Sequence, residues 1–121
     1  HHRLNHLYLI NMLMAHNIPN HMNDIVRIVD QALGLELAES SLHYERFVTH
    51  VKFLLQRIYR KELLSSEDKE LAQMMQRKYP KEYNCSEKVA AYIKEATGCT
   101  LSDEEVMYLS VHIRRVTAVE K

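Results

Sequence analysis

Apolar residues recur at every third or fourth position through most of the chain, while strict alternation of β-branched residues is nearly absent. That period belongs to helices. Ile25, Ile28, Val29 and Leu33 make one stripe and predict a core helix over 23–33, stopped at Gly34. Pro19 is expected to separate it from an upstream helical segment over 4–17. Phe47, Val48, Val51, Leu54, Leu55 and Ile58 predict a second helix over 41–60, after the start signal Glu39-Ser40-Ser41. A third helix starts near Ser66 with Glu67 and Asp68 in its first turn, turns Leu71, Met74 and Met75 inward, and ends before Pro80. A fourth, over 81–97, directs Val89, Ala90, Tyr92, Ile93 and Ala96 to the core and is stopped by Gly98. The fifth opens on Ser102-Asp103-Glu104-Glu105, a capping box, and carries Val106, Leu109, Ile113 and Val116 on its buried face. The fold class expected is all-α, a compact bundle of about five helices.

A chain of 121 residues fits one domain and buries enough surface to fold without a disulfide or a metal. Lysine plus arginine, 16, equals aspartate plus glutamate, 16, which argues against a dedicated nucleic-acid surface. Cys85 and Cys99 form no CxxC pair and read as free thiols of a reducing cytoplasm. No apolar run approaches the ~20 residues of a membrane span, and the stretch over 7–14 also lacks the cleavage site of a signal peptide. A cytoplasmic protein without membrane insertion is expected. His1-His2 and His21-Met22 are dipeptides that purification tags and cloning junctions encode. The segment 1–22 is therefore expected to include residues foreign to the natural chain, and 23–121 is the functional domain.

Two histidines occupy parallel settings. His50 lies in Arg46-Phe47-Val48-Thr49-His50 and His112 in Tyr108-Leu109-Ser110-Val111-His112-Ile113-Arg114-Arg115, each in the middle of a predicted helix. At about 100° per residue, Arg46, Arg57 and His43 fall within about 40° of His50, at the edge of the apolar stripe. Around His112, Tyr108 and Arg115 share its helix surface, and Glu105 is about 20° away in projection. Arg114 is about 160° away and is expected to face solvent. A neutral imidazole is a competent nucleophile near neutral pH, and arginine holds phosphate oxygens well. This favours a phosphoryl acceptor at His50 and His112, supported by Arg46 more than by the distant Arg57, and by Arg115, Glu105 and Tyr108. Glu105 is expected to orient the His112 ring and raise its pKa. On spacing alone the blander assignment, helix-edge histidines that hydrogen-bond a neighbour, outweighs this one.

A metal site formed by His43, His50 and His112 is a further reading, but no HxxxH or HExxH spacing supports it. The tyrosines read as core-edge packing, not as a base-stacking platform.

The segments 40–50 and 103–115, with Glu82-Tyr83-Asn84-Cys85-Ser86 between them, resemble the PTS regulation domain, or PRD, of transcriptional antiterminators of the BglG/SacY/LicT family and of related activators. The likeness runs over 23–116, and the form Arg46-Phe47-Val48-Thr49-His50 looks like a second PRD. The segment before Asn23 falls outside it. The resemblance implies a homodimeric helical bundle, with no cofactor and no catalytic activity. It implies phosphorylation of His50 and His112 by the sugar phosphotransferase system, through the carrier HPr and a sugar-specific enzyme II. Phosphorylation is expected to favour the active dimer. RNA contact is expected only through an N-terminal domain that this sequence lacks. An unphosphorylated helical dimerisation module, a PRD of a transcriptional activator and a metal-dependent enzyme are the competing readings.

Overall fold

The predicted stripes become the buried sides of five helices. A computed structural model describes residues 2–34, 42–65 and 69–120, with backbone alone at 2–7 and 118–120. Helix α1 spans His2–Leu33, α2 Leu42–Arg60, α3 Lys69–Lys78, α4 Pro80–Thr97 and α5 Asp103–Glu120. The start signals expected at Glu39-Ser40-Ser41 and near Ser66 lie outside the described residues. Four helices close a ring, α1 on α2, α2 on α5, α5 on α4 and α4 on α1, while α3 packs against α4 and α5. The core runs through this ring: Ile25 and Val29, Phe47, Val51 and Leu55, Val89 and Ile93, and Met107 and Ile113 are all buried.

The stripe of α2 is buried as predicted apart from the half-buried Val48, and that of α5 is buried throughout. Leu71 and Ala96, expected inward, are exposed. Among the described residues α3 packs chiefly on α4 and α5, so Met75 and the half-buried Met74 cover its contact and Leu71 is left on the rim. On α4 the first turns go deeper than expected, and Glu82, Tyr83, Cys85 and Ser86 are buried there. Ser86 Oγ donates to the Val106 carbonyl at 2.6 Å, which stitches α4 to α5. Burial pushes the Cys85 thiol up to about 11, so it stays protonated and unreactive at neutral pH.

Pro19 does not divide the chain. It lies inside the continuous α1, although proline withholds one helical hydrogen bond and crowds the carbonyl four residues earlier. The helix persists because it is held on both sides of the defect: Met14 and Ile18 are buried before it and Ile25 and Val29 after it. Pro19 and Ala15 are both exposed and border a groove of about 480 Å³ against Lys52 and Gln56 of α2. Water can therefore reach the carbonyl that Pro19 leaves unpaired.

The end of the 1–22 segment is also tied in by a polar junction. Tyr92 Oη donates to Asp24 Oδ2 at 2.7 Å. It therefore accepts from His21 Nδ1 at 3.0 Å, which leaves His21 Nε2 to accept from Tyr59 Oη at 3.1 Å. One imidazole thus fastens α1 to α2 and α4, and packing does not split the chain at Asn23.

Replacing Pro19 by alanine restores the missing hydrogen bond at an exposed position. Pro19→Ala is expected to stabilise the fold by about 1–2 kcal/mol, seen as a higher urea midpoint with an unchanged slope.

Candidate functional site

The α2–α5 seam brings the two histidines together. Val51, Leu54 and Leu55 of α2 and Leu109, Ile113 and Val116 of α5 are buried. His50 and His112 each sit one residue from that stripe, so packing the stripes leaves both rings at the lip of the seam, half-buried. Their imidazoles stack with centroids 3.6 Å apart and planes 14° from parallel. Among the described residues no hydrogen bond is made by either ring, so the ring nitrogens keep free capacity. A helix-edge histidine that hydrogen-bonds a neighbour is thus not found at either position among the described residues.

Two clefts flank the stack. The first, about 350 Å³, is bordered by Phe53 and Arg57 of α2, Leu64 after α2, and Glu105 and Tyr108 of α5. The second, about 340 Å³, is bordered by His43, Arg46, Phe47 and Val116. His50, His112 and Arg115 border both.

Stacking and burial fix the protonation state. Burial lowers the pKa of His50, and the guanidinium charges of Arg115 and Arg57 lower it further. His112 is pushed down to about 4, first by burial, then by His50, Arg115 and Arg57. Both rings are therefore neutral at pH 7, and each has a lone pair free to attack an electrophile.

Glu105 and Arg57 take a different part from the one expected. Arg57 grips the carboxylate of Glu105 through both Nε (2.9 Å) and Nη2 (2.8 Å), and the Leu64 backbone N–H donates to the same carboxylate at 2.9 Å. Glu105 is only 1% exposed. Its charge is spent on Arg57, so it neither orients His112 nor raises the pKa of that ring, which falls instead. The capping box is half formed for the same reason. Ser102 Oγ accepts from Glu105 N at 3.2 Å, but the Glu105 side chain is diverted across the seam. Ser102 Oγ also donates to the Leu64 carbonyl at 2.5 Å, which clamps the segment after α2 onto the start of α5.

Arg46 and Arg115 are exposed and lack a carboxylate partner among the described residues. Tyr108 borders the first cleft and makes no hydrogen bond to His112. Arg114, expected in solvent, pairs with Glu82 at 3.4 Å and lies over the Tyr79 ring at 4.6 Å. The side of α5 opposite His112 faces α4 rather than water. His43 borders the second cleft, but among the described residues no three His, Cys, Asp or Glu side chains are grouped to hold a metal ion.

Two outcomes follow from this geometry. Unfolded imidazoles titrate near 6.5 while folded His112 titrates near 4, so the unfolded chain binds protons first. Stability is complete above pH 6.5 and declines as pH falls toward 4, by roughly 2–3 kcal/mol for His112 after allowing for partial hydration. Urea titrations across that window are expected to show the decline, and His112→Gln to flatten it. Arg57→Gln leaves the buried Glu105 carboxylate without its cation and is expected to cost about 3 kcal/mol, read from the same urea titration at neutral pH.

Comparison with known proteins agrees with the likeness seen in the sequence. The PRD domain family matches residues 23–116. Transcription antiterminator LicT of Bacillus subtilis is 35% identical over 116 residues, covering 91% of this chain and 42% of LicT. The beta-glucoside operon antiterminator of Dickeya chrysanthemi is 36% identical, covering 91% of this chain and 41% of its own length. Protein GlcT of Staphylococcus aureus is 32% identical over 110 residues and covers 36% of its own length. The chain thus spans less than half the length of these relatives. Coverage of 91% is more than 23–121 can supply, so the matched stretch takes in part of the segment before Asn23. With a family match over most of its length, the chain belongs to the PRD domain family.

Proposed function

We propose that this chain is a regulatory domain of a transcriptional antiterminator and that His50 and His112 receive phosphoryl groups from the sugar phosphotransferase system. The observation that carries the proposal is the stacked pair itself: two neutral imidazoles, free of hydrogen bonds among the described residues, between clefts that hold two guanidinium groups without carboxylate partners. Antiterminators among the relatives fit the regulatory reading.

In the proposed reaction a ring nitrogen of His50 or His112 attacks the phosphorus of phosphohistidine on HPr. The new P–N bond forms as the carrier's P–N bond breaks, and the electron pair returns to the carrier's imidazole. The proton shed by the acceptor ring's other nitrogen balances the one taken up by the carrier. A sugar-specific enzyme II is a second candidate donor. The chain acts as acceptor, not catalyst. Arg46 and Arg115 meet the incoming charge, roughly −1.5 to −2 by analogy with other phosphorylated side chains. Arg57 and Glu105 hold the seam beneath it, and Tyr108 borders the approach.

Such a charge, added at the lip of the seam beside the stacked partner ring and Arg115, changes the electrostatics of the seam. Self-association into a homodimer then shifts if the two association states hold the phosphate unequally. A bias of a few kcal/mol is enough for a large change in population. Contact with RNA belongs to a separate domain of the whole protein.

Incubation with phosphorylated HPr is expected to place acid-labile phosphate on His50 and His112 and to move the sedimentation profile. Labelling is expected to fall to background in the double variant His50→Ala, His112→Ala. Full labelling of that variant rejects the assignment of the acceptors. Labelling with no change in sedimentation rejects the link to self-association.

A further inference from the structure

The two clefts beside the histidines differ in what surrounds them. Phe53, Leu64 and Tyr108 are 48%, 39% and 42% exposed, and all three border the first cleft. They come from three different segments: α2, the stretch after it, and α5. The second cleft has no exposed large apolar side chain. Its apolar borders, Phe47 and Val116, are buried, and its accessible groups are His43, Arg46 and Arg115.

Charge follows the same division. In the first cleft Arg57 and Glu105 cancel each other, which leaves Arg115 as its uncompensated charge among the bordering residues. The second holds Arg46 and Arg115 with no bordering carboxylate. The first mouth thus offers apolar contact beside an unpaired guanidinium, whereas the second offers polar and charged groups alone. We propose that Phe53, Leu64 and Tyr108 form the docking rim for the phosphoryl-donor protein, which delivers its phosphoimidazole through the first cleft.

This inference rests on the acceptor reading given above and adds the surface the donor uses. A carrier whose phosphoimidazole must reach rings set between the helices has to cover a cleft mouth. The first mouth offers exposed apolar groups around a recess, the arrangement in which a few aromatic and aliphatic side chains supply most of the affinity. Arg115 sits at that mouth with no carboxylate partner and complements the dianionic group being delivered. A second copy of this chain seated on the same rim would close the first cleft to the donor.

A pair of donors separates docking from acceptor chemistry. Phosphorylated HPr must dock, whereas phosphoramidate is small enough to diffuse to the rings. Phe53→Ala and Leu64→Ala, both at exposed side chains, are expected to raise the half-saturating concentration of phosphorylated HPr about tenfold each, the loss of one moderate contact. They are expected to leave the rate of labelling by phosphoramidate, and the urea midpoint, as in the unmutated chain. Unchanged dependence on HPr overturns the proposal. So does an equal loss with both donors, which would make the rim part of the acceptor's own structure. Weakened self-association with unchanged dependence on HPr assigns the rim to a second copy and also overturns it. An unmutated chain that takes no phosphate at His50 or His112 from either donor defeats the acceptor reading itself, and the docking rim with it.

Discussion

The site depends on a buried carboxylate that must not be left alone. Glu105 is sealed in the seam between α2 and α5, and its ionised form is tolerable only because Arg57 grips both oxygens and Leu64 N–H adds a third bond. That demand fixes how α2 and α5 lie against each other. It also pins the segment after α2 to the start of α5, with Ser102 closing the loop from the other side. Once the relative position of the two helices is set, His50 and His112 have little choice but to face each other. The ion pair thus specifies a geometry more than it adds net stability, since the cost of desolvating both charges offsets much of their attraction.

Within that frame the imidazoles are kept neutral by their surroundings. Each ring loses hydration to the seam and faces arginines, and His112 also faces His50. A protonated ring would press its charge against the other ring and against Arg115. The conditions that disfavour the cation leave a lone pair available at neutral pH, so protection from protonation and nucleophilic readiness have one cause.

The stripes of α2 and α5 were legible because each buries a single continuous face, and the two histidine motifs could be picked out for the same reason. The stack could not be read from the sequence. It depends on the register between two helices far apart in the chain, and helical projection says nothing about register. Glu105 illustrates the difficulty: projection correctly put it near His112, but Arg57 across the seam competes for the carboxylate and wins. Arg114 was misplaced because the far side of α5 meets Glu82 and Tyr79 of α4 and its approach. Pro19 misled because local propensity is a weak guide when burial on both flanks holds a helix through its defect. His21 stands beside Met22 in a dipeptide that cloning junctions encode, whereas its partners, Tyr59 and Tyr92, come from other helices.

The near-parallel planes of His50 and His112 carry one more implication. The lone pair of an imidazole nitrogen lies in the plane of its ring, and so does any bond made there. With planes 14° apart, neither orbital points at an atom attached to the other ring, and the collinear path that displacement at phosphorus requires is closed between them. A group fixed on one imidazole therefore cannot hop to its neighbour while they remain face to face. On the acceptor reading proposed above, the two are separate ports, each filled and emptied from outside.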